Sequence, residues 1–220
     1  MLYGASGHAN AVKCSLEQNG FARVVAFIDD FRGGQGLTID NRPIICFDAW
    51  RNQFLDHPCF IAVGNVAAKR RLADKVSAAG GRFCTFHDVP GRSFAEVTVG
   101  AGSYVQSPTY VGPNTRIGEH VVVMAMTTIG HDVHIGDCCT ICPSSNIGGH
   151  VVVQSEVFIG AGSIIINGRV GNPLTIETGA TVAAGAVVMK SVPAGAVVMG
   201  NPARPLRQLA RSRGKADPAS

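Results

Sequence analysis

A strict six-residue period of apolar positions runs through the middle of the chain. From position 99 to position 165, every sixth residue is Val or Ile, and the residue two positions before each of them is small or β-branched. The aliphatic residues are Val99, Val105, Val111, Ile117, Val123, Ile129, Ile135, Ile141, Ile147, Val153, Ile159 and Ile165. Neither the helix period nor the strand period fits this spacing, so it predicts a structural repeat.

Each six-residue unit predicts a short strand followed by a corner. The small and aliphatic residues would point inward, with one outward residue between them. Glycine often follows the aliphatic residue, at Gly100, Gly112, Gly118, Gly130, Gly136, Gly148 and Gly160. We expect these glycines to adopt positive φ at the corners. If three units form one triangular coil, residues 95–166 predict about four coils of a parallel β-helix.

The period slips near its end. Ile165 is followed in phase by Ile176, so eleven residues separate positions that should be six apart. This spacing predicts a loop of about five extra residues within 167–173. Residues 200–202 predict a turn, and residues 206–211 predict a short C-terminal helix.

The first part of the chain alternates between apolar runs and helical segments. Strands are predicted at residues 1–3, 24–28 and 60–63, and helices at 9–19 and 66–79 with Gly20 and Gly80 at their ends. Such alternation predicts a small parallel sheet covered by helices. We therefore expect a Rossmann-like α/β domain over residues 1–92, followed by a β-helix domain over residues 93–220.

The composition argues against nucleic-acid binding and membrane insertion. The net charge is only +4, and part of it belongs to basic residues of a C-terminal tail that we interpret as solvated, so we expect no nucleic-acid partner. No apolar run is long enough to span a membrane, and no signal peptide is evident, so we expect no membrane insertion. The seven cysteines, an odd number, fit reduced thiols and a cytoplasmic location.

Two histidines lie together in the segment TTIGHDVHIGD. Because Ile129 and Ile135 point inward in the repeat, His131 and His134 occupy outward or corner positions. Each is either a solvated surface side chain or a residue placed for chemistry. The nearby pair Cys139 and Cys142 has C-x-x-C spacing, but one faces inward and the other lies at a corner, so we expect no metal site.

The order of motifs along the chain carries a resemblance to a known family. GASGHA near the start, FIDD, FIAVGN, the GHD-containing repeats and GNPAR near the end resemble bacterial nucleotide-sugar N-acetyltransferases. These share their fold with sialic acid O-acetyltransferases, within the left-handed β-helix hexapeptide acyltransferases. The resemblance implies acetyl-CoA as donor, a nucleotide-linked amino sugar as acceptor, in particular a 4-amino-4,6-dideoxy sugar, and a homotrimer with active sites between subunits.

The resemblance also implies roles for individual residues. His131 would be the general base and Asp132 would orient its imidazole, in direct transfer without a covalent intermediate. The nucleotide sugar would be bound by Ser6, Gly7, His8, Asp29, Asp30 and Gly64; the alternative is a tight turn with an acid pair at a strand end. Coenzyme A would contact Thr140, Ala161, Ala184, Lys190 and Arg204.

Three positions depart from the family pattern. Thr140 stands where a histidine is frequent, Met124 stands where an asparagine is common, and the loop at 167–173 is added. Other functions remain open: sugar O-acetylation of the sialic acid type, a metal-dependent protein resembling γ-type carbonic anhydrases, and a non-catalytic β-helical scaffold.

Overall fold

The computed structural model describes residues 1–87 and 96–206. The chain begins with an α/β unit and continues as a parallel β-helix. No helix among the described residues is both long and apolar enough to cross a membrane.

The α/β unit is a five-stranded sheet with three helices. Its elements are β1 Leu2–Tyr3, α1 Gly7–Gln18, β2 Phe27–Ile28, β3 Thr38–Ile39, β4 Arg42–Ile45, α2 Phe47–Gln53, β5 Phe60–Ile61 and α3 Val66–Ala78. The strand order is β3-β4-β2-β1-β5, and all neighbours are parallel except β3 and β4. The predicted strands and helices are confirmed, whereas β3, β4 and α2 were not predicted.

Local sequence explains where the two long helices begin and end. The side chain of Asn65 accepts a hydrogen bond from the amide of Ala68 at 2.8 Å and caps α3. Gly20 and Gly80 follow α1 and α3 with φ of +69° and +80°, the conformation that glycine adopts at helix C-termini without steric cost.

The β-helix is built from strands that are mostly two residues long. They are β6 Phe86–His87, β7 Thr98–Val99, β8 Tyr104–Val105, β9 Tyr110–Val111, β10 Arg116–Ile117, β11 Val122–Val123, β12 Thr128–Ile129, β13 His134–Ile135, β14 Thr140–Ile141, β15 Asn146–Ile147, β16 Val151–Val153, β17 Phe158–Ile159, β18 Ile164–Ile165, β19 Leu174–Ile176, β20 Thr181–Val182, β21 Val187–Val188, β22 Val197–Met199 and β23 Arg204–Pro205. The four coils predicted for residues 95–166 are present, and a fifth continues through β19, β20 and β21.

Three flat sheets form the sides of the β-helix. Sheet 1 has the order β19-β16-β13-β10-β7, sheet 2 runs β23-β22-β20-β17-β14-β11-β8-β6, and sheet 3 runs β21-β18-β15-β12-β9. Stacked residues are one coil, or 18 positions, apart, as in Arg116 opposite His134. The aliphatic residues of the six-residue period fill the interior, and Ile129, Ile135 and Ile141 are fully buried.

The glycines that follow the aliphatic residues correct one expectation. None of these seven has positive φ; the left-handed conformation instead falls two residues later, at positions such as Asn114, Asp132 and His150. A Cβ at Gly130 would lie 2.6 Å from the backbone nitrogen of Gly149 in the next coil. Glycine therefore recurs there because adjacent coils approach closely, not because the backbone turns.

Residues 167–173 form the predicted extra loop. It lies between β18 and β19, and Arg169 and Asn172 exchange backbone hydrogen bonds across it. Beyond it the strands return to register, with Val153 opposite Ile176. The predicted loop is confirmed.

The α/β unit packs directly on sheet 2 of the β-helix. Tyr104 and Val122, which point outward from that sheet, join one apolar cluster with Leu2, Phe60 and Phe86. Strand β6, expected within the first domain, pairs with β8 of the β-helix, because Phe86 lies opposite Tyr104. The domain boundary near residue 92 and most of the C-terminal helix predicted at 206–211 lie outside the described residues, and the division into two domains stays a prediction.

Candidate active site

His131 and Asp132 form a hydrogen-bonded pair at a corner of the β-helix. The corner joins β12 of sheet 3 to β13 of sheet 1, and the Nδ1 atom of His131 lies 2.6 Å from Oδ2 of Asp132. Asp132 has φ of +55°, in the left-handed region where a short polar side chain is tolerated best among non-glycine residues. This backbone turn, repeated in each coil, brings the carboxylate against the imidazole of the preceding residue.

The carboxylate of Asp132 is held as an anion. The hydrogen bond with His131 is the largest cause that lowers the pKa of Asp132, and a hydrogen bond from the side-chain amide of Asn114, at 3.1 Å, is the next. An anionic acceptor at Nδ1 favours the tautomer with its proton on that nitrogen. Nε2 of His131 is then the nitrogen with a free lone pair, and it can accept a proton.

Neighbouring coils support the pair from both sides. Asn114, Asp132 and His150 are 18 residues apart and share φ values of 56°, 55° and 54°. The ring of His150 packs edge-on against that of His131, with 4.9 Å between centroids, and Nδ1 of His150 lies 4.0 Å from Asp132. A Cβ at Gly149 would lie 2.8 Å from Nε2 of His131, so glycine at this position leaves room for the imidazole.

Sequence reasoning missed Asn114, Gly149 and His150 as parts of this site. Their spacing of about 18 residues from the His131 and Asp132 pair could have revealed Asn114, Gly149 and His150. Residues 18 positions apart must stack once three six-residue units make a coil. His134, the other histidine of the motif, is exposed on the outer side of sheet 1 and belongs to no group of three potential metal ligands among the described residues.

The extra loop at 167–173 rises from the same corner, one coil beyond His150. The side chain of Asn167 accepts a hydrogen bond from the amide of Gly149 at 3.0 Å, and the amide of Gly168 donates to the carbonyl of Gly149 at 2.9 Å. The loop is thus hydrogen-bonded to Gly149, the glycine that leaves room for the imidazole of His131.

The predicted nucleotide-sugar residues meet at one edge of the α/β sheet. Ser6 and Gly7 follow β1, Asp29 and Asp30 follow β2, and Gly64 comes shortly after β5; these three strands are neighbours and parallel. Ligands of α/β sheets bind beyond the carboxyl ends of such strands. Ser6, Gly7 and Gly64 are exposed, and α1 begins at Gly7 with its first amides facing outward from the helix.

The two acids differ in what they already bind. Asp29 accepts the amides of Phe31 and Arg32, both at 2.9 Å. Asp30 accepts hydrogen bonds from the ammonium of Lys75 and from the hydroxyl of Tyr3, all at 2.9 Å. Burial raises the pKa of Tyr3, and the hydrogen bond to Asp30 raises it further. Asp30 is therefore engaged within the chain, and Asp29 shapes the loop that follows β2.

His8 lies near Lys69, the lysine through which the α/β unit contacts the β-helix. Its Nε2 atom is buried without a hydrogen-bond partner among the described residues. Burial lowers the pKa of His8, and the positive charge of Lys69 lowers it further. The lowered pKa favours the neutral imidazole of His8, which keeps one N–H group that can donate a hydrogen bond.

Thr140, expected at coenzyme A, instead contacts a buried lysine. Lys69 of α3 is fully buried and donates to the hydroxyl of Thr140 at 2.8 Å and to the carbonyl of Cys139 at 2.9 Å. Burial lowers the pKa of Lys69 to about 8. Thr140 is 1% exposed, and its hydroxyl is engaged by Lys69. Its expected contact with coenzyme A stays a prediction.

The other expected coenzyme A residues are exposed but lie away from His131. Ala161 and Ala184 occupy the corner at which the chain enters sheet 3, in consecutive coils, whereas His131 lies at the corner where the chain leaves it. Lys190 and Arg204 line a cavity of about 390 Å³ next to Pro193 and Val198. One chain therefore does not bring these residues to His131.

The cysteines give no evidence for a C-x-x-C metal site. Cys139 is buried in the interior and Cys142 is half-buried at a corner, as the repeat predicts. The donor set among the described residues that has the composition and spacing of a metal site is His131, Asp132 and His150.

Both parts of the chain match known protein families. Residues 1–76 match the PglD N-terminal domain, and residues 114–149 match the bacterial transferase hexapeptide repeats. GDP-perosamine N-acetyltransferase of Escherichia coli O157:H7 is 28% identical over 213 residues, which cover 94% of this chain and 96% of that protein.

Solved structures agree along nearly the whole chain. WeeI from Acinetobacter baumannii AYE superposes with a TM-score of 0.79 at 29% identity, covering 93% of this chain and 98% of WeeI. The acetyltransferase domain of PglB from Neisseria gonorrhoeae FA1090, in complex with acetyl coenzyme A, superposes with a TM-score of 0.77 at 27% identity, covering 93% and 97%. The resemblance found in the sequence is confirmed.

Proposed function

We propose that this chain, a hexapeptide-repeat transferase with a PglD-type N-terminal domain, transfers the acetyl group of acetyl-CoA to the amino group of a nucleotide-linked amino sugar. Among the proteins that it resembles, one is named GDP-perosamine N-acetyltransferase, and another is an acetyltransferase domain solved in complex with acetyl coenzyme A. We assign a 4-amino-4,6-dideoxy sugar as the acceptor.

The observation that carries this proposal is the contact between His131 and Asp132. A sugar amine is mostly protonated near pH 7, so it must attack the thioester as the neutral minority species. As its nitrogen forms a bond to the carbonyl carbon, one N–H proton passes to Nε2 of His131. The carbon–sulfur bond then breaks, and the thiolate of coenzyme A takes up a proton. Asp132 stabilises the imidazolium that forms, and no covalent enzyme intermediate is needed.

The sheet edge of the α/β unit supplies the nucleotide site in this proposal. The exposed turn at Ser6 and Gly7 offers backbone amides at a helix N-terminus to a phosphate. Asp29 and Gly64 border that turn on the neighbouring strands. Asp30 forms an ion pair with Lys75, so its carboxylate is not free to bind the ligand. Its role would be to hold the residues of this sheet edge in place.

A homotrimer would complete the active site. His131 lies at one side of sheet 3, and Ala161 and Ala184 lie at the other, so a neighbouring copy packed there would bring its coenzyme A residues to His131. The exposed Ile164 and Ile166 at this sheet are consistent with such a contact. In the described residues the amides of Ala161 and Ala184 donate to no backbone carbonyl, which leaves them available to the pantetheine arm.

We place the enzyme in the cytoplasm. All seven cysteines are free, and three of them, Cys59, Cys138 and Cys139, are buried. Free cysteines in this number suit a reducing compartment.

An acceptor panel tests the proposal. The protein is incubated with acetyl-CoA and either a nucleotide-linked amino sugar or the matched hydroxy sugar, thiol release is followed, and the product is identified by mass spectrometry and NMR. We expect thiol release that depends on the amine, and an N-acetyl product. Release only with the hydroxy sugar would instead identify an O-acetyltransferase. Absence of any acyl-CoA binding by calorimetry would indicate a non-catalytic scaffold.

A further inference from the structure

The corner that carries His131 also gathers three metal-ligating side chains. One donor atom each from His131, Asp132 and His150 lies within 4.8 Å of the others. His150 takes no part in the proton transfer proposed above, and the sequence motif does not include it. Its presence beside the pair needs a separate explanation.

The backbone holds these three residues in fixed relation. The amide of His150 donates to the carbonyl of His131 at 3.1 Å, and the amide of Asp132 donates to the carbonyl of Pro113 at 2.9 Å. The side chains remain accessible, at 53% exposure for His131, 37% for Asp132 and 28% for His150. A rigid frame with solvent-facing side chains leaves room for a further ligand on the open side.

We propose that His131, Asp132 and His150 bind a divalent transition cation of the zinc class, and that bound cation inhibits the acetyl transfer. Two imidazoles and one carboxylate are a ligand set that suits Zn²⁺ rather than Mg²⁺ or Ca²⁺, which prefer oxygen ligands. Ligand atoms held tetrahedrally at about 2.0–2.2 Å from zinc lie about 3.4 Å from one another. Nδ1 of His131 and Oδ2 of Asp132, which are 2.6 Å apart, must therefore separate, and Nδ1 of His150, 4.0 Å from Oδ2, must approach. The exposure of the three side chains permits these movements.

Inhibition follows from the chemistry of the shared imidazole. Coordination through either ring nitrogen of His131 removes the base. If Nε2 binds the cation it has no free lone pair, and if Nδ1 binds the cation the ring proton lies on Nε2. A coordinated Asp132 also no longer orients His131 for the acceptor. The metal and the acceptor proton therefore compete for one group. The inhibitory part of this inference rests on the proposed function, whereas the binding part does not.

Metal titration of the full chain tests the binding part. Protein freed of metal with a chelator is titrated with Zn²⁺ by calorimetry and with Co²⁺ by visible absorbance. The variants are His150→Ala, His150→Gln and the matched control His134→Ala, which removes an exposed histidine of the same motif. We expect one equivalent bound by the wild type and by the control, and affinity at least about tenfold weaker in both His150 variants.

The cobalt spectrum separates this site from the cysteines. Binding at the proposed site gives d–d bands without the near-ultraviolet charge-transfer band of a thiolate ligand. Unchanged affinity in both His150 variants, or a thiolate band at the first equivalent, would overturn the proposal. The glutamine variant keeps a polar side chain of similar size, so a folding defect confined to the alanine variant leaves the test decisive.

The inhibitory part has its own readout. Zinc added to wild-type protein is expected to lower the rate of thiol release in proportion to the occupancy measured by calorimetry, and a chelator should restore that rate. Full activity at full occupancy would contradict it. If the protein shows no acetyl transfer at all, the proposed function fails while the titration still decides the metal site.

Discussion

At the scale of single residues, a repeated left-handed corner positions the candidate base. Asn114, Asp132 and His150 occupy the same corner position in three successive coils, and their side chains converge on the imidazole of His131 or on its carboxylate partner. Non-glycine residues in this conformation carry a strain of order 1 kcal/mol, which the coil hydrogen bonds offset. The geometry of the base is thus set by the frame of the coil, not by a flexible loop.

Gly149 provides a test of this positioning. In Gly149→Ala the new Cβ would lie 2.8 Å from Nε2 of His131, so the imidazole must turn away from its place on the corner. We expect kcat for acetyl transfer to fall by about 10- to 100-fold with little change in thermal midpoint, because a displaced base loses much of its contribution.

The neighbouring glycine is the matched control. In Gly148→Ala the Cβ would meet the backbone nitrogen of Asn167 at 2.7 Å, in the next coil, so this variant should lose stability instead. Thermal unfolding and steady-state kinetics on both variants separate the two effects. A Gly149→Ala enzyme with unchanged kcat would show that His131 does not act from this position.

The sequence correctly predicted whether a side chain faces inward or outward where the six-residue period alone determines that direction. That period predicted the outward position of His131 and the inward position of Cys139. It did not predict that Thr140 would be buried, because the α/β unit that covers it is far away in sequence. The stacking of His150 required the 18-residue coil period, a longer spacing than the motif itself.

At the scale of elements, helix α3 is joined to strand β14 through one buried lysine. The ammonium of Lys69 contacts Cys139 and Thr140 with no carboxylate in its hydrogen-bond set, and burial lowers its pKa from 10.5 to about 8. Below pH 8 the folded chain holds a desolvated charge, and this costs stability. The contact therefore links the docking of the α/β unit to pH.

The pH dependence of unfolding follows from the direction of this shift. Between pH 8 and 10.5 the unfolded chain binds more protons at Lys69 than the folded chain does, so this residue makes the free energy of unfolding rise with pH in that window. We expect the wild type to gain about 1–2 kcal/mol relative to Lys69→Met between about pH 7 and about pH 9.5. Urea unfolding of both proteins at one concentration measures this difference, and parallel pH profiles would contradict it.

The extra loop is a second element with a separable role. Deleting residues 168–172 restores the six-residue spacing between Ile165 and the aliphatic residue of β19, so the β-helix should still fold. Because the loop is joined to Gly149 at the corner of His131, we expect KM for the sugar acceptor to rise by about three- to tenfold, worth about 1 kcal/mol.

KM for acetyl-CoA and the thermal midpoint serve as controls for that deletion. Both should stay close to the wild-type values, since Ala161 and Ala184 lie at the opposite corner of sheet 3. A deletion that leaves all three quantities unchanged would show that the loop does not contact the acceptor.

The elements that sequence reasoning missed lie where apolar periodicity is weakest. Strands β3 and β4 and helix α2 follow a segment with Gly33, Gly34 and Gly36, and each has few inward positions. Trp50 of α2 is fully buried, but a single large residue in a short helix gives no period to detect. The long period of the β-helix, by contrast, predicted the strands and the position of the loop.

At the scale of the whole molecule, the flat sheets of the β-helix are covered unequally. The α/β unit covers part of sheet 2, whereas sheet 3 leaves Ile164 at 45% exposure between the two corners that the proposed site requires. Association through that side would bury apolar surface and complete the site in the same step.

Solution mass tests this arrangement. We expect light scattering to give about three times the chain mass of 22.9 kDa. Ile164→Asp should dissociate the assembly and abolish acetyl transfer, whereas the control Val25→Asp, at a 44% exposed residue that precedes β2 in the α/β unit, should change neither. A dissociated Ile164→Asp protein with full activity would show that one chain suffices.

The most direct test of the central claim is the rate of acetyl transfer by His131→Ala with a nucleotide-linked amino sugar, compared with the wild type and with His134→Ala. We expect kcat to fall by about 10²- to 10⁴-fold in His131→Ala with KM for acetyl-CoA unchanged, while His134→Ala stays within about twofold of the wild type. Undiminished thiol release and N-acetyl product from His131→Ala would contradict the assignment of this imidazole as the base.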